Sequence, residues 1–206
     1  MNEIFITFII PTIGRETLKN SIDSLINQTD NDWNAIIIFD GIKKNIEITD
    51  DRIKIIEIEK IGVTYIKNNA GLVRNIGIKN VKNSLWIGFL DDDDYLSHNY
   101  IISLKNEILM NPNLEICIFR MAYPNGVILP TKQDKNINRC HVGISFAIKK
   151  YVGTNILFNN NPFEDYLFLK NAQSKKYKIL ISSYVCYFIR SFPKDHELYP
   201  KVLINF

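Results

Sequence analysis

Leu85-Trp86-Ile87-Gly88-Phe89-Leu90-Asp91-Asp92-Asp93-Asp94 is the stretch on which the reading of this chain turns. The apolar run before the acids shows no polar alternation, the pattern of a strand buried on both faces of a parallel sheet. In open α/β sheets ligands bind beyond the carboxyl ends of the strands, where these aspartates would sit. Adjacent carboxylates repel one another, so a fold that concentrates them needs a compensating cation. Hard oxygen donors of this kind suit Mg²⁺ or Mn²⁺, which bridge carboxylates to substrate phosphates. A solvated acidic turn is the plain alternative for any charge run. Leaving a core strand, however, takes only about one or two turn residues, not a block of acids.

Working outward, the flanking segments alternate between strand and helix signals. Phe5 to Ile10 reads as a strand ending at Pro11, and Arg15 to Gln28 has helical spacing through Leu18, Ile22, Leu25 and Ile26. Thr12 or Gly14 is placed to open that helix, with its N-terminal amides facing the sheet edge. Trp33 to Phe39 and Arg52 to Ile58 read as strands, and Asn69 to Val81 as a helix feeding the strand that carries the aspartates. Downstream, Ser97 is expected to cap a helix reaching Met110, which Asn111-Pro112-Asn113 ends. Leu114 to Tyr123 and Val127 to Leu129 read as strands around Pro124-Asn125-Gly126. Residues 130–139 are polar and aperiodic, a candidate mobile loop over a substrate. His141 to Ile148 is expected as strand, Pro162 to Ala172 as helix and Tyr177 to Ile189 as a long strand. The resulting order is α/β, a mostly parallel central sheet flanked by helices with a smaller mixed β region after it.

Composition narrows the function classes. The chain of 206 residues is long enough for one full core, with ordinary apolar (46%) and charged (23%) fractions. A net charge of +3 with scattered lysines and arginines argues against a nucleic-acid partner. No stretch approaches the roughly 18 apolar residues of a membrane span. The start of the chain lacks a basic leader region, so it is expected to be the first strand. Cys117, Cys140 and Cys186 have no CxxC spacing and read as free thiols of a reducing, cytoplasmic compartment.

Several ordered motifs then resemble the inverting glycosyltransferases of family 2. Phe8-Ile9-Ile10-Pro11-Thr12 with Arg15 looks like that family's opening strand, and Ile36-Ile37-Ile38-Phe39-Asp40-Gly41 like its second strand with a nucleotide-contacting Asp. Arg74-Asn75-Ile76-Gly77-Ile78 resembles the Ala-Arg-Asn-x-Gly helix, and Phe89 to Asp94 the Leu-Asp-x-Asp-Asp strand end. Phe163-Glu164-Asp165 resembles the Glu-Asp pair that supplies the catalytic base. The likeness spans about residues 4–190. It departs at Ile13-Gly14, where the family has an aromatic residue and Asn, and at Phe39 and Ile42, which replace an acid and a Ser beside Asp40.

The resemblance implies a GT-A fold and a single domain: residues 1–96 as the nucleotide-sugar half, 97–190 as the acceptor and catalytic half, 191–206 as a tail. It also implies a nucleotide-diphosphate donor, foremost a UDP-sugar, a carbohydrate or other hydroxyl acceptor, and Mn²⁺ or Mg²⁺. Such a transfer needs charge neutralisation at the leaving phosphates, a grip on the nucleoside and a base for the acceptor hydroxyl. Asp93 is the expected direct metal ligand, with Asp91 reaching the ribose, or the metal through water. Asp92 joins the donor-side set, although strand alternation would turn it the other way; Asp94 is expected to cap the next segment. Pro11, Thr12 and Arg15 line the first loop, and Asp40 and Arg74 the nucleoside end, where Arg74 can pair with a base carbonyl or with carboxylates. Asp165 is the expected general base and Glu164 its orienting partner. Of His98, His141 and His196, the last is the best placed to complete a metal site.

Other classes fit less well. A sugar-1-phosphate nucleotidyltransferase wants a glycine-rich loop after the first strand, which Pro11 to Arg15 does not provide. A phosphohydrolase with an Asp nucleophile needs an isolated first Asp with Lys and a second acid pair downstream. A carbohydrate-binding module would rely on exposed aromatics in place of two separate acidic sites.

Overall fold

The computed structural model describes residues 3–44, 46–61 and 70–190. Its elements are β1 (Ile4–Thr12), α1 (Leu18–Ile26), β2 (Trp33–Asp40), β3 (Ile53–Ile58), α2 (Ala70–Asn80), β4 (Ser84–Phe89), β5 (Tyr95–Leu96), α3 (Tyr100–Met110), β6 (Ile116–Ala122), β7 (Ile128–Leu129), β8 (Phe146–Lys149), α4 (Lys150–Asn155), α5 (Glu164–Ser174) and β9 (Ile179–Phe188). The strands form one sheet in the order β3-β2-β1-β4-β8-β6-β9-β5, with β7 added to the end of β6. The first four run parallel; β8 joins β4 and β6 antiparallel, β9 runs parallel to β6, and β5 pairs antiparallel with β9.

The outer strand β3 exposes Lys54 and Glu57, whereas the central strands β1, β2 and β4 are mostly apolar because helices cover both faces of the sheet there. Successive β1 residues show this: the Phe8 ring meets Tyr100 of α3 at 5.3 Å, while Ile9 packs under Gly77 of α2. On the α3 side, Gln28 donates to the Ser97 carbonyl (2.7 Å) and so ties α1 to the start of α3. Strand order reverses at β1, whose neighbours are β2 on one side and β4 on the other. The crevice between the carboxyl ends of β1 and β4 is therefore where an α/β sheet binds ligands. Beyond β4 the core is aromatic. Phe89 packs on Phe146 (5.4 Å) and Phe158 (5.3 Å), and Phe158 stacks on Phe168 of α5 (4.5 Å). That cluster sets the start of α5 beside the end of β4.

Several expected boundaries differ. Helix α1 begins at Leu18 rather than Arg15, because Arg15 is drawn to the aspartate turn (Nη1 to Asp92 Oδ1, 2.6 Å). Helix α3 starts from Asn99, and Ser97 contributes a hydrogen bond to the Asn99 N–H instead of a helix cap. Residues 141–145 are irregular, so β8 begins only at Phe146. Both α4 and the two-residue β5 were absent from the sequence-based expectation; short elements carry too little periodicity to register. Residues 130–139 form an irregular segment with local bonds: Asp134 Oδ2 accepts from Thr131 N–H (2.6 Å), Asp134 Oδ1 from Asn138 (3.2 Å), and Arg120 Nε donates to the Pro130 carbonyl (2.8 Å). Asn69 and the tail 191–206 lie outside the described residues. No described helix is long and apolar enough to cross a membrane.

Candidate active site

The four aspartates follow the alternation of a strand continued by one turn. Asp92 and Asp94 are buried, whereas the Asp91 and Asp93 side chains retain 33% and 23% of their exposure at the crevice. Asp92 spends both oxygens inward, on the Thr12 hydroxyl (2.7 Å) and on Arg15 (2.6 Å). It thereby locks the end of β1 to the end of β4. Burial lifts the Asp92 carboxyl above its ordinary range, with Thr12 and Arg15 opposing. Pro11 lies inside β1, opposite Ile38 of β2, and the strand runs one residue further to Thr12. Asp93 faces two guanidiniums, Arg15 at 3.5 Å and Arg190 at 3.6 Å. Asp94 is held up to about 7, by burial first and then by Asp91, although its Oδ1 accepts the Arg190 N–H (2.8 Å) and Tyr187 opposes the rise.

Arg74 joins this turn to the second acidic site. Fully buried, its guanidinium donates to Asp91 through Nη2 and to Glu164 Oε1 through Nη1 (2.9 Å). Burial opposes its charge, but Asp91 and Glu164 outweigh burial and keep it above the ordinary arginine value. The sequence prepares this contact locally. Asn75 clasps the Phe158 backbone in both directions, Nδ2 to O at 2.8 Å and N–H to Oδ1 at 2.9 Å, which docks α2 on the segment before α5. Gly71 leaves the space: a Cβ there would stand 2.9 Å from both Glu164 Cγ and Phe158 Cβ.

Asp165, next to Glu164 on the first turn of α5, lies near enough to Arg74 and Asp91 for their charges to reach its carboxyl. Its carboxyl is raised to about 6, by burial first, with Glu164 and Asp91 adding to the rise and Arg74 opposing it. Gly143 stands across from it, its would-be Cβ 3.7 Å from Asp165 Oδ2. The Arg139 guanidinium lies 3.6 Å from the Phe163 ring centre, immediately before the two acids.

Thr12, Arg15, Arg74, Asp91, Asp92, Asp93, Glu164 and Asp165 thus gather at one sheet edge. Asp40 stands farther along it, at the end of β2, where Oδ1 accepts the Ile61 N–H (2.7 Å) and fixes the turn after β3. Among the described residues no hydrogen bond or ion pair links Asp40 to Arg74. His141 pairs with Asp134 (3.1 Å) and His98 is exposed, while His196 lies outside the described residues. Tyr187, Arg190 and Arg139 were not singled out from the sequence. Tyr187 is hidden in an apolar strand, and only Arg190, a charge at a strand's carboxyl end, left a readable signal.

Among the described residues no three His, Cys, Asp or Glu side chains converge on a metal position. The donors present still fit Mg²⁺ or Mn²⁺, because such an ion commonly takes one or two carboxylates and completes its shell with substrate phosphates and water. Asp93 and Asp91 are the carboxylates turned toward the crevice.

Comparison with known proteins bears on the family and the fold. Residues 7–190 match the family model described as glycosyl transferase family 2. A curated Escherichia coli relative, UDP-Glc:alpha-D-GlcNAc-diphosphoundecaprenol beta-1,3-glucosyltransferase WfgD, is 30% identical over 157 residues, 69% of this chain and 59% of the relative. S. aureus TarS residues 1–349 in complex with UDP-GlcNAc superpose with a TM-score of 0.67 at 16% identity, covering 94% of this chain and 60% of that one. Glucosyl-3-phosphoglycerate synthase from Mycobacterium tuberculosis, crystallised with Mn²⁺, UDP and phosphoglyceric acid, gives 0.61 at 12% identity over 92% of this chain and 72% of that one. At these identities the structures establish a shared GT-A fold. The chain spans about three-fifths of the length of WfgD and 38% of the longer TarS chain.

Proposed function

The chain belongs to glycosyl transferase family 2, and from that membership we propose that it transfers a sugar from a nucleotide diphosphate to an acceptor hydroxyl with inversion at the anomeric carbon. The observation that carries this reading is the pairing of two acidic sites in one crevice, the Asp91–Asp93 turn and Asp165, joined through buried Arg74. UDP-sugars are the favoured donors, since WfgD is named for UDP-Glc and TarS is seen with UDP-GlcNAc.

In this mechanism Asp165 accepts the proton of the attacking hydroxyl. A carboxyl held near 6 is deprotonated at neutral pH yet remains basic enough to take a proton. The acceptor oxygen attacks the anomeric carbon from the side opposite the nucleotide, and the bond to the diphosphate breaks. Arg15 and Arg190 flank the departing phosphates and offset their growing charge. Mn²⁺ or Mg²⁺ on Asp93, with Asp91 reached through water, would add Lewis-acid stabilisation of the same diphosphate. Asp40 holds the nucleoside end. Arg74 and Glu164 act by fixing the distance between donor turn and base, and Asp92 acts through Arg15 and Thr12. A screen of nucleotide sugars with Mn²⁺ and candidate acceptors tests this, with the product anomer read by NMR. Retention, or no nucleotide release from any donor, would refute it.

A further inference from the structure

The end of β9 grips the aspartate turn from behind, at several points, from ninety-six residues farther along the chain. Tyr187 is fully buried in a strand flanked by β6 and β5, paired with Met121 and Leu96. Its hydroxyl oxygen accepts the Asp91 backbone N–H at 3.1 Å, and the Asp94 carboxyl lies close enough for its charge to act on the phenol. Three residues on, the Arg190 N–H donates to Asp94 Oδ1 at 2.8 Å, and the Arg190 guanidinium approaches Asp93 Oδ2 at 3.6 Å. Arg190 holds φ at +55°, in the left-handed region. A non-glycine residue stays there only where its surroundings over-determine it. Here the surroundings are Asp94 on its N–H and the Ile189 N–H bonded to the Ala122 carbonyl (2.9 Å).

We propose that Tyr187 and Asp94 are positioning residues for the donor site: together they set the backbone at Asp91 and aim Arg190, so that Asp91 and Asp93 meet the nucleotide diphosphate at a fixed spacing. Neither side chain touches the donor. The phenol holds the Asp91 amide and the Arg190 N–H holds the Asp94 carboxylate, so the end of β9 grips both ends of the turn. Loss of the phenol lets Asp91 to Asp94 relax while leaving the β9 pairing intact. The inference rests on the reading of this turn as the donor site.

The test compares wild type with Tyr187→Phe, Asp94→Asn and, as a matched control, Tyr177→Phe. Tyr177 sits at the opposite end of the sheet, where its hydroxyl accepts from Asn155 Nδ2. UDP affinity is measured by calorimetry with and without Mn²⁺, alongside donor KM and kcat. Tyr187→Phe should raise the Mn²⁺-dependent UDP Kd and the donor KM about tenfold, the scale of one lost buried hydrogen bond. The acceptor KM should stay unchanged. Asp94→Asn, which keeps an acceptor oxygen, should shift the same quantities in the same direction, and Tyr177→Phe should shift none. A purely structural role would lower the melting temperature of Tyr187→Phe and leave the affinities of the folded protein alone, which would overturn the inference. Should Tyr187→Phe fail to fold, Asp94→Asn with wild-type UDP affinity would overturn it equally. Wild type that binds no nucleoside diphosphate would instead bring down the donor-site reading itself, and this inference with it.

Discussion

Replacing Arg74 with methionine separates the acidic turn from helix α5 and makes a quantitative test of the bridge between them. Methionine retains most of the apolar stem, so the change removes chiefly the guanidinium. Glu164, whose side chain is 5% exposed, then loses its charged partner in the interior, and Asp91 loses its own at the crevice. Breaking a buried ion pair on one side costs about 3–5 kcal/mol, because an uncompensated charge remains. For a chain of this size each kcal/mol lowers the melting temperature by about 2–4 °C, so a fall of roughly 6–20 °C is expected. Differential scanning calorimetry measures it. The companion variant Arg74→Met/Glu164→Gln removes the stranded charge as well, and it should recover part of the loss, giving a double-mutant cycle with strongly non-additive terms. A single variant that melts within about 2 °C of wild type, or a cycle that is additive, would refute the idea that the bridge is an energetic link.

Asp165→Asn should lower kcat by about 10²–10⁴-fold with donor affinity near wild type, read from steady-state kinetics and UDP calorimetry. The acidic limb of the wild-type rate profile should fall near pH 6, where Asp165 takes up its proton. Stability follows the opposite course. The folded carboxyl keeps its proton up to about 6, whereas the unfolded one releases it near about 4. The wild type therefore loses stability as pH rises through that window, and Asp165→Asn should be the more stable protein at pH 7.5, by thermal melts at both ends. Asp40→Ala should raise donor KM more than it lowers kcat, the mark of lost uniform binding; an unchanged KM would remove Asp40 from the nucleoside pocket. Gly71→Ala should destabilise by about 1–3 kcal/mol through the clash with Glu164 and Phe158, visible as a lower urea midpoint.

The first half of the chain was legible in the sequence because it is built from long repeating signals. Unbroken apolar strands such as Ile36 to Phe39 and Trp86 to Leu90 end in polar residues, and the strand-end rule then places Thr12, Asp40 and the aspartates along one edge. The alternation that turns Asp91 and Asp93 outward and Asp92 inward is likewise a local property. What stayed hidden depends on partners far along the chain. Nothing near Arg74 announces that its second carboxylate is Glu164, ninety residues away, nor does the apolar pattern of β9 distinguish Tyr187 from any core tyrosine. The short elements β5 and α4, with two and six residues, exist because neighbours pair or pack with them, and propensity alone has no hold on them.

The insertion of β9 between β6 and β5 also has a bearing on synthesis. At a translation rate of about 5–20 residues per second, the ninety-six residues between Asp91 and Tyr187 take roughly 5–20 s to make. Through that interval a nascent chain has the aspartates and the apolar edge of β4 but neither Arg190 nor the phenol to hold the turn. Its β4 edge also waits for β8, which is made some sixty residues later. The crevice is thus completed only when the last of the described strands emerges, and a ribosome-stalled chain ending before residue 187 should capture no nucleotide, however well its first three strands have already paired.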